Sequence, residues 1–282
     1  MLGKIIKYDF KNHFKMFITI YLCVIAATLF ACGLSGINRL LLDKDIQVLN
    51  ITIGLLTGII IVAAIALNVL TFLIVIYNFY KSMVTNEGYL TNTLPVTKTE
   101  LVIGKNIVGF IMCIISILVS FGCLLLYSVC STSPIMKSFF ESLKNAFKSF
   151  NMIIDENGFS FIAFPLILFI ATAFIQLYGN ITYGYLCVSL GQIMNKNKLL
   201  WTIIFAVGIN FILQTVSSFL VAILSTLFIN INRDLDLAVM VQNNSLMPFN
   251  IMFIISFVLD LILAMVFSIA TIKILDKKLN LE

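Results

Sequence analysis

Charged side chains are what this sequence has least of for its size. There are 18 Lys and Arg and 13 Asp and Glu in 282 residues, 11% in all, where a soluble domain carries roughly a quarter. Against them stand 61% hydrophobic residues. Such a chain in water would expose large apolar patches, so a soluble fold is excluded and the chain falls in the membrane class. Histidine is almost missing too: the single one, His13, sits in a lysine-rich N-terminal stretch. Without more, no HExxH, no Ser-His-Asp set and no Cys/His cluster can be assembled. No catalytic residue and no metal site are therefore predicted. A phosphate loop is also lacking, because Gly104-Lys105-Asn106 has neither the upstream glycine nor the hydroxyl residue of GxxxxGK[ST]. ATP hydrolysis and a bound cofactor are not expected in this chain. The six cysteines, Cys23, Cys32, Cys113, Cys123, Cys130 and Cys187, lie in or beside apolar runs without CxxC spacing. They read as small apolar fillers, free of disulfides.

What is present is six long apolar runs: 16–37, 51–80, 107–130, 159–190, 199–229 and 249–275. A helix crossing the roughly 30 Å hydrocarbon layer needs about 20 residues, and each run supplies them. None alternates as the strands of a barrel must. The predicted fold is all-α, one polytopic membrane domain over 1–282 with six transmembrane helices. The +5 net charge is read through its distribution and not as a sign of a nucleic-acid partner. With the N-terminus inside, Arg39, Lys44, Lys137, Lys144, Lys148 and Arg233 fall outside. That is six of the 18 basic residues, leaving twelve on the inner side, which predicts a multi-pass cell-membrane protein with both termini cytoplasmic. Leu29-Phe30-Ala31-Cys32 loosely resembles a lipoprotein cleavage box. Phe30 fits it badly and the apolar run continues, so the first run is expected to be a retained span.

Two segments outside the runs show helical amphipathicity. Near the N-terminus, Leu2, Ile6, Phe10 and Phe17 share one face, and Lys4, Lys7, Lys11 and Lys15 share roughly the opposite one. This predicts an amphipathic interfacial helix in contact with membrane lipid. From Pro134 to Ile154, Phe140, Leu143, Phe147, Phe150 and Ile154 share a face, with Lys137, Glu141, Lys144 and Lys148 in a separate sector. That segment is expected to pack on the outer ends of the spans or on the lipid surface.

Polar side chains inside the runs should face protein or water, because hydrocarbon offers them no partner. Thr172, Gln176, Asn180, Tyr183 and Cys187 share one face of the fourth span, and Asn210, Gln214 and Ser217 one face of the fifth. Asn68 and Thr71 in the second span and Asp260 in the sixth complete the set. Each could serve only as interhelical glue. Together they suggest a polar seam.

The loop from Lys81 to Leu101 carries the most local information. Gly88 breaks one short helix, Pro95 forbids its continuation, and Thr97 with Glu100 forms a capping box for the helix leading into the third span. The second run, about 45 Å long at 1.5 Å per residue, projects beyond the hydrocarbon layer and would carry this elbow to the cytoplasm. The stretch Asn86-Glu87-Gly88-Tyr89-Leu90-Thr91-Asn92-Thr93-Leu94-Pro95-Val96-Thr97 is similar to the acid-Glu-Gly-Tyr-Leu-Thr-x-Thr-Leu-Pro-Val-Ser stretch of bacterial type-2 ABC transporter permeases, common in Gram-positive bacteria. Asn86 replaces the acid and Thr97 the serine.

The resemblance implies a permease subunit of an ATP-driven exporter, working with two separate ABC ATPase subunits that bind ATP and Mg, and with a second permease copy or a homologue. It implies a cytoplasmic coupling helix between spans two and three, with Glu87, Gly88, Tyr89, Leu90, Thr93, Leu94 and Pro95 forming or framing the ATPase contact. The family's path runs near the second and fifth spans, which places Asn68, Asn210 and Gln214 along it. With Gln176, Asn180 and Asp260 these make the expected translocation path. An amphipathic peptide, drug or lipid suits a seam of amides and hydroxyls, and an antimicrobial peptide is the first candidate by analogy. Two other functions are compatible with the same sequence: a non-transporting scaffold or sensory subunit that recruits an ATPase, and an ion-coupled secondary transporter using Asp260.

Overall fold

A computed structural model describes residues 2–40, 47–85, 96–131, 133–157, 159–194, 197–231 and 247–277. Among the described residues the protein is all-α, with seven helices: α1 (Leu2–Leu40), α2 (Gln47–Val84), α3 (Lys98–Cys130), α4 (Pro134–Asn157), α5 (Phe159–Gly191), α6 (Lys198–Ile231) and α7 (Met247–Lys277). Six of them, all but α4, are long and apolar enough to cross a membrane. Each predicted run lies wholly inside one of these helices. Helix is the form hydrocarbon demands of a single segment, since every backbone donor and acceptor is satisfied within it.

The ends of the helices depart from the apolar runs for local reasons. Helix α3 starts nine residues ahead of its run, directly after Thr97, where the capping box is formed in both directions. The Glu100 amide donates to Thr97 Oγ1 at 3.3 Å, and the Thr97 amide to Glu100 Oε2 at 3.4 Å. The amphipathic N-terminal segment is not a separate element: residues 2–15 run into the first span as one unbroken helix of 39 residues. No breaker lies between the basic stretch and the apolar run, so helix propagation carries through. The predicted coupling helix, with Glu87, Gly88, Tyr89, Leu90, Thr93, Leu94 and Pro95, lies outside the described residues.

The chain divides into two compact units. The first comprises Met1–Val75 and Ile103–Met152. Within it α1 and α3 run parallel: Tyr21 Oη donates to the Met112 carbonyl (3.4 Å), Thr28 Oγ1 approaches Cys123 Sγ (3.8 Å), and Ser35 Oγ donates to the Cys130 carbonyl (3.1 Å). Helix α2 is antiparallel to α3, joined through Thr71–Ser116 (2.9 Å), Asn68–Ser120 (3.0 Å) and Thr57–Tyr127 (3.1 Å). Buried Thr57, Ile60, Ala64, Leu67 and Thr71 recur every three or four residues and place one stripe of α2 inward. The small side chains let the helices approach closely.

The second unit comprises Ile76–Val102 and Ile153–Glu282. Here α5 and α7 run parallel at a constant offset: Phe169 meets Phe253 edge-on with centroids 6.0 Å apart, a Cβ on Gly179 would lie 3.8 Å from Ala264 Cβ, and Tyr183 meets Phe267 at 5.9 Å. Helix α6 is antiparallel to α5, and Tyr183 Oη donates to the Ala206 carbonyl. Tyr185 of α5 is stacked on Phe79 of α2, with centroids 3.9 Å apart and rings 9° from parallel.

Where α5 gives way to α6, Gly191 touches the next helix through its backbone. An added Cβ there would collide with Thr202 Oγ1 and stand 2.9 Å from the Lys198 carbonyl and 3.0 Å from the Thr202 amide. Two of these three atoms are backbone, so no rotamer change relieves the clash. The neighbouring Asn197 has φ 53°, a left-handed conformation that Asn accepts more readily than most side chains. Gly191→Ala should destabilise the protein by about 1–3 kcal/mol, the usual cost of overpacking. A lowered unfolding midpoint in detergent would show it; an unchanged midpoint would mean that α6 docks otherwise.

Candidate functional site

Hydroxyl groups in the spans are largely satisfied by their own helices. Thr57, Thr71, Ser120, Thr172 and Ser189 each donate to a carbonyl three or four residues back, at 2.7 to 3.0 Å. The long amides and the carboxyl carry more hydrogen-bonding groups than one bond back to the helix satisfies, so their surroundings decide what they can do.

The predicted path residues fall in both units. Asn68 is committed inside the first unit: Nδ2 donates to the Ala64 carbonyl at 2.9 Å and to Ser120 Oγ at 3.0 Å. The second bond ties α2 to α3, and Asn68 Oδ1 is buried without a hydrogen-bond partner. In the second unit, Gln176 and Asn180 of α5 and Asn210 and Gln214 of α6 are exposed on the surface of the single chain, and Asp260 of α7 is half-buried. Their neighbours in the predicted stripes behave differently. Thr172 and Cys187 are buried, and Tyr183 spends its hydroxyl on α6.

Helix register brings the exposed amides to matching heights. The α5–α7 pairs 169/253, 179/264 and 183/267 differ by 84 or 85 residues, so Gln176 stands at the level of Asp260, 84 residues on. In the antiparallel pair, Tyr183 marks the level of Ala206. Three residues back along α5, Asn180 comes within one residue of the level of Asn210; seven back, Gln176 comes within one residue of the level of Gln214. Gln176, Gln214 and Asp260 thus form one layer, and Asn180 with Asn210 the next. Such layers can offer amide donors and acceptors to a polar ligand or to water within the membrane. Among the described residues no cluster of three or more His, Cys, Asp or Glu could hold a metal ion.

Sequence reasoning missed a buried ionic contact in the first unit. Lys105 Nζ lies 3.2 Å from Asp9 Oδ2, with side-chain exposures of 8% and 25%. His13 is buried, its Nδ1 is 2.7 Å from the Asp9 carbonyl, and its ring stacks on Phe17. A Cβ on Gly104 would come within 3.3 Å of Ile5 Cγ2, so glycine lets the start of α1 settle on α3. The available signal was Asp9 itself, an acid among four lysines.

The fold and the polar layers define a polytopic α-helical membrane protein with six candidate spans. In comparisons with protein-family models, curated proteins and solved structures, nothing matches this chain.

Lys105→Met should cost about 2 kcal/mol of stability, less than for a fully buried pair because Asp9 is partly solvated. The double variant Asp9→Asn/Lys105→Met should lose less than Lys105→Met alone, since it leaves no uncompensated carboxylate. Unfolding midpoints of the two proteins compare directly. Equal losses would mean that packing of the lysine stem, and not charge pairing, holds the contact.

Proposed function

We propose that this chain is the permease subunit of an ATP-driven exporter of the type-2 ABC class. The observation that carries the reading is the pair of amide layers on α5 and α6, exposed at matching levels in helices long enough to span a bilayer, with half-buried Asp260 of α7 level with the first. Four amides left in lipid would be costly, so they call for a covering of protein or an aqueous path. A second permease copy or a homologue, set against this surface, supplies both. The similarity of residues 86–97 to the coupling loop of such permeases supports the same reading.

In this mechanism the chain itself is not an enzyme. Two separate ATPase subunits bind ATP and Mg, both termini are cytoplasmic, and Glu87, Gly88, Tyr89, Leu90, Thr93, Leu94 and Pro95 form or frame the docking contact. Closure of the ATPases moves the loop, and the spans rock between inward and outward access around Gln176, Asn180, Asn210, Gln214 and Asp260. A transition of this kind needs differential contacts in its two states, which the ATPase interface provides at one end and the amide layers at the other. Neutral amides with a single carboxyl suit an amphipathic peptide, drug or lipid better than a strongly ionic solute.

The test is the complex reconstituted with an ABC ATPase subunit that co-purifies with the chain. Tyr89→Asp with Leu94→Asp should reduce substrate-stimulated ATPase activity at least tenfold, a loss of about 1.4 kcal/mol of coupling or more. Asn210→Leu with Gln214→Leu should abolish export while the assembly still purifies intact. Full transport by the loop variant would refute the coupling assignment. Unchanged behaviour of the amide variant would favour an ATPase-recruiting scaffold, and transport without any ATPase would favour an ion-coupled carrier.

A further inference from the structure

Helix α4 is not a candidate span, yet it is tied at both ends to helices that are. It begins at Pro134, shortly after α3 ends at Cys130, and it ends at Asn157, just before α5 starts at Phe159. Its 24 residues make a rod of about 36 Å. Pointed away from the membrane, that rod would carry the start of α5 the same distance from the bilayer that α5 must enter. The connectivity therefore favours a course for α4 along the membrane boundary. Because α3 is parallel to α1, the entry of α4 lies on the face opposite Leu2.

Three adjacent sectors run along the helix. The first turns toward protein: Met136 is buried with Ala31, Ile60 and Tyr127, and Leu143 and Phe150, at i+7 and i+14, are half-buried. The second is apolar and open, with Phe140 43% and Phe147 68% exposed. The third holds exposed Lys137, Lys144 and Lys148. Three- and four-residue spacings set the lysines beside the phenylalanines: Lys137 and Lys144 flank Phe140, and Lys144 precedes Phe147 by three. Glu141, also exposed, is the single acid between residues 137 and 148, leaving that stretch with two net positive charges. Asp155 is exposed nearer the end of the helix.

We infer that α4 is a lipid-anchoring helix, with Phe140 and Phe147 sunk into the upper acyl region and Lys137, Lys144 and Lys148 held at the phosphates of anionic lipid headgroups. An apolar row bordered by a lysine row is the arrangement that a helix at the boundary of oil and phosphate requires, with each lysine stem lying over apolar surface and its ammonium reaching the headgroup. A second copy of the chain suits this surface poorly, since pairing two such rows would set lysine against lysine. The inference depends on the membrane reading of the spans and not on the transport proposal.

The experiment uses the full chain in vesicles. Trp201 is the single tryptophan, so Phe147→Trp in a Trp201→Phe background reports on one position, with Asn145→Trp in the same background as the solvent-facing control. In phosphatidylcholine vesicles containing phosphatidylglycerol, the Phe147→Trp protein should emit at shorter wavelength than the control. It should also be quenched by lipids brominated near the headgroup more strongly than by lipids brominated at the chain end. Insensitivity to both bromolipids would overturn the insertion, including the case in which another protein surface covers Phe147. For the lysines, replacing phosphatidylcholine by phosphatidylglycerol should raise the thermal midpoint of the native chain by several degrees. Lys137→Gln/Lys144→Gln/Lys148→Gln should lose most of that rise. An equal rise in the triple variant, or the same rise from inorganic phosphate with neutral vesicles, would overturn the headgroup assignment.

Discussion

Hydrocarbon supplies no hydrogen bonds, and that deficit governs almost everything in this structure. The backbone answers it by remaining helical through lengths of 31 to 39 residues in the six candidate spans. Serine and threonine answer it by bonding back to their own helix, so they can be buried at little cost and let neighbouring helices approach closely. Asparagine and glutamine carry both a donor and an acceptor, so a bond back to their own helix leaves part of the group over. Asn68 Nδ2 bonds back to the Ala64 carbonyl and across to Ser120, while its Oδ1 is buried without a hydrogen-bond partner. Gln176, Asn180, Asn210 and Gln214 are exposed on the single chain.

Each unit uses the same arrangement of three helices, first and third parallel and the middle one antiparallel, with different contacts. In the first, hydroxyls and sulfur link α1, α2 and α3, and an ion pair joins Asp9 to Lys105. In the second, rings and a glycine do the work: Phe169 against Phe253, Tyr183 against Phe267, and Gly191 against the start of α6. The close approach at Gly191 and the conformation of Asn197 set how α6 returns along α5, and so which of its residues stand level with Gln176 and Asn180.

Much of the fold was legible because it depends on local chemistry. A run such as 199–229 is continuous apolar sequence, and only one secondary structure lets a lone segment of that kind enter a bilayer. Thr97 and Glu100 announced the start of α3 because a capping box involves four consecutive residues. The N-terminal segment was read correctly as helix but not as a continuation of α1. The candidate site was legible in part: helical periodicity found the stripes containing Gln176 and Asn210, yet it could not tell a side chain that faces a neighbour from one that faces outward. Hence Thr172 and Cys187 shared a predicted face with Gln176 and proved buried.

By itself, then, the sequence determined the class of protein, the place of the six candidate spans among the described residues, the start of α3 and the lack of metal-ligand or triad patterns. All of these follow from composition and from contacts within about one helical turn. The tertiary structure alone decided that Asn68 is engaged by α3, that Asp9 meets Lys105, and that Gln176, Gln214 and Asp260 share a level. Those outcomes depend on the relative register and rotation of helices far apart in the chain. Register between helices is set by the summed fit of many small contacts, and no single stretch of sequence contains that sum.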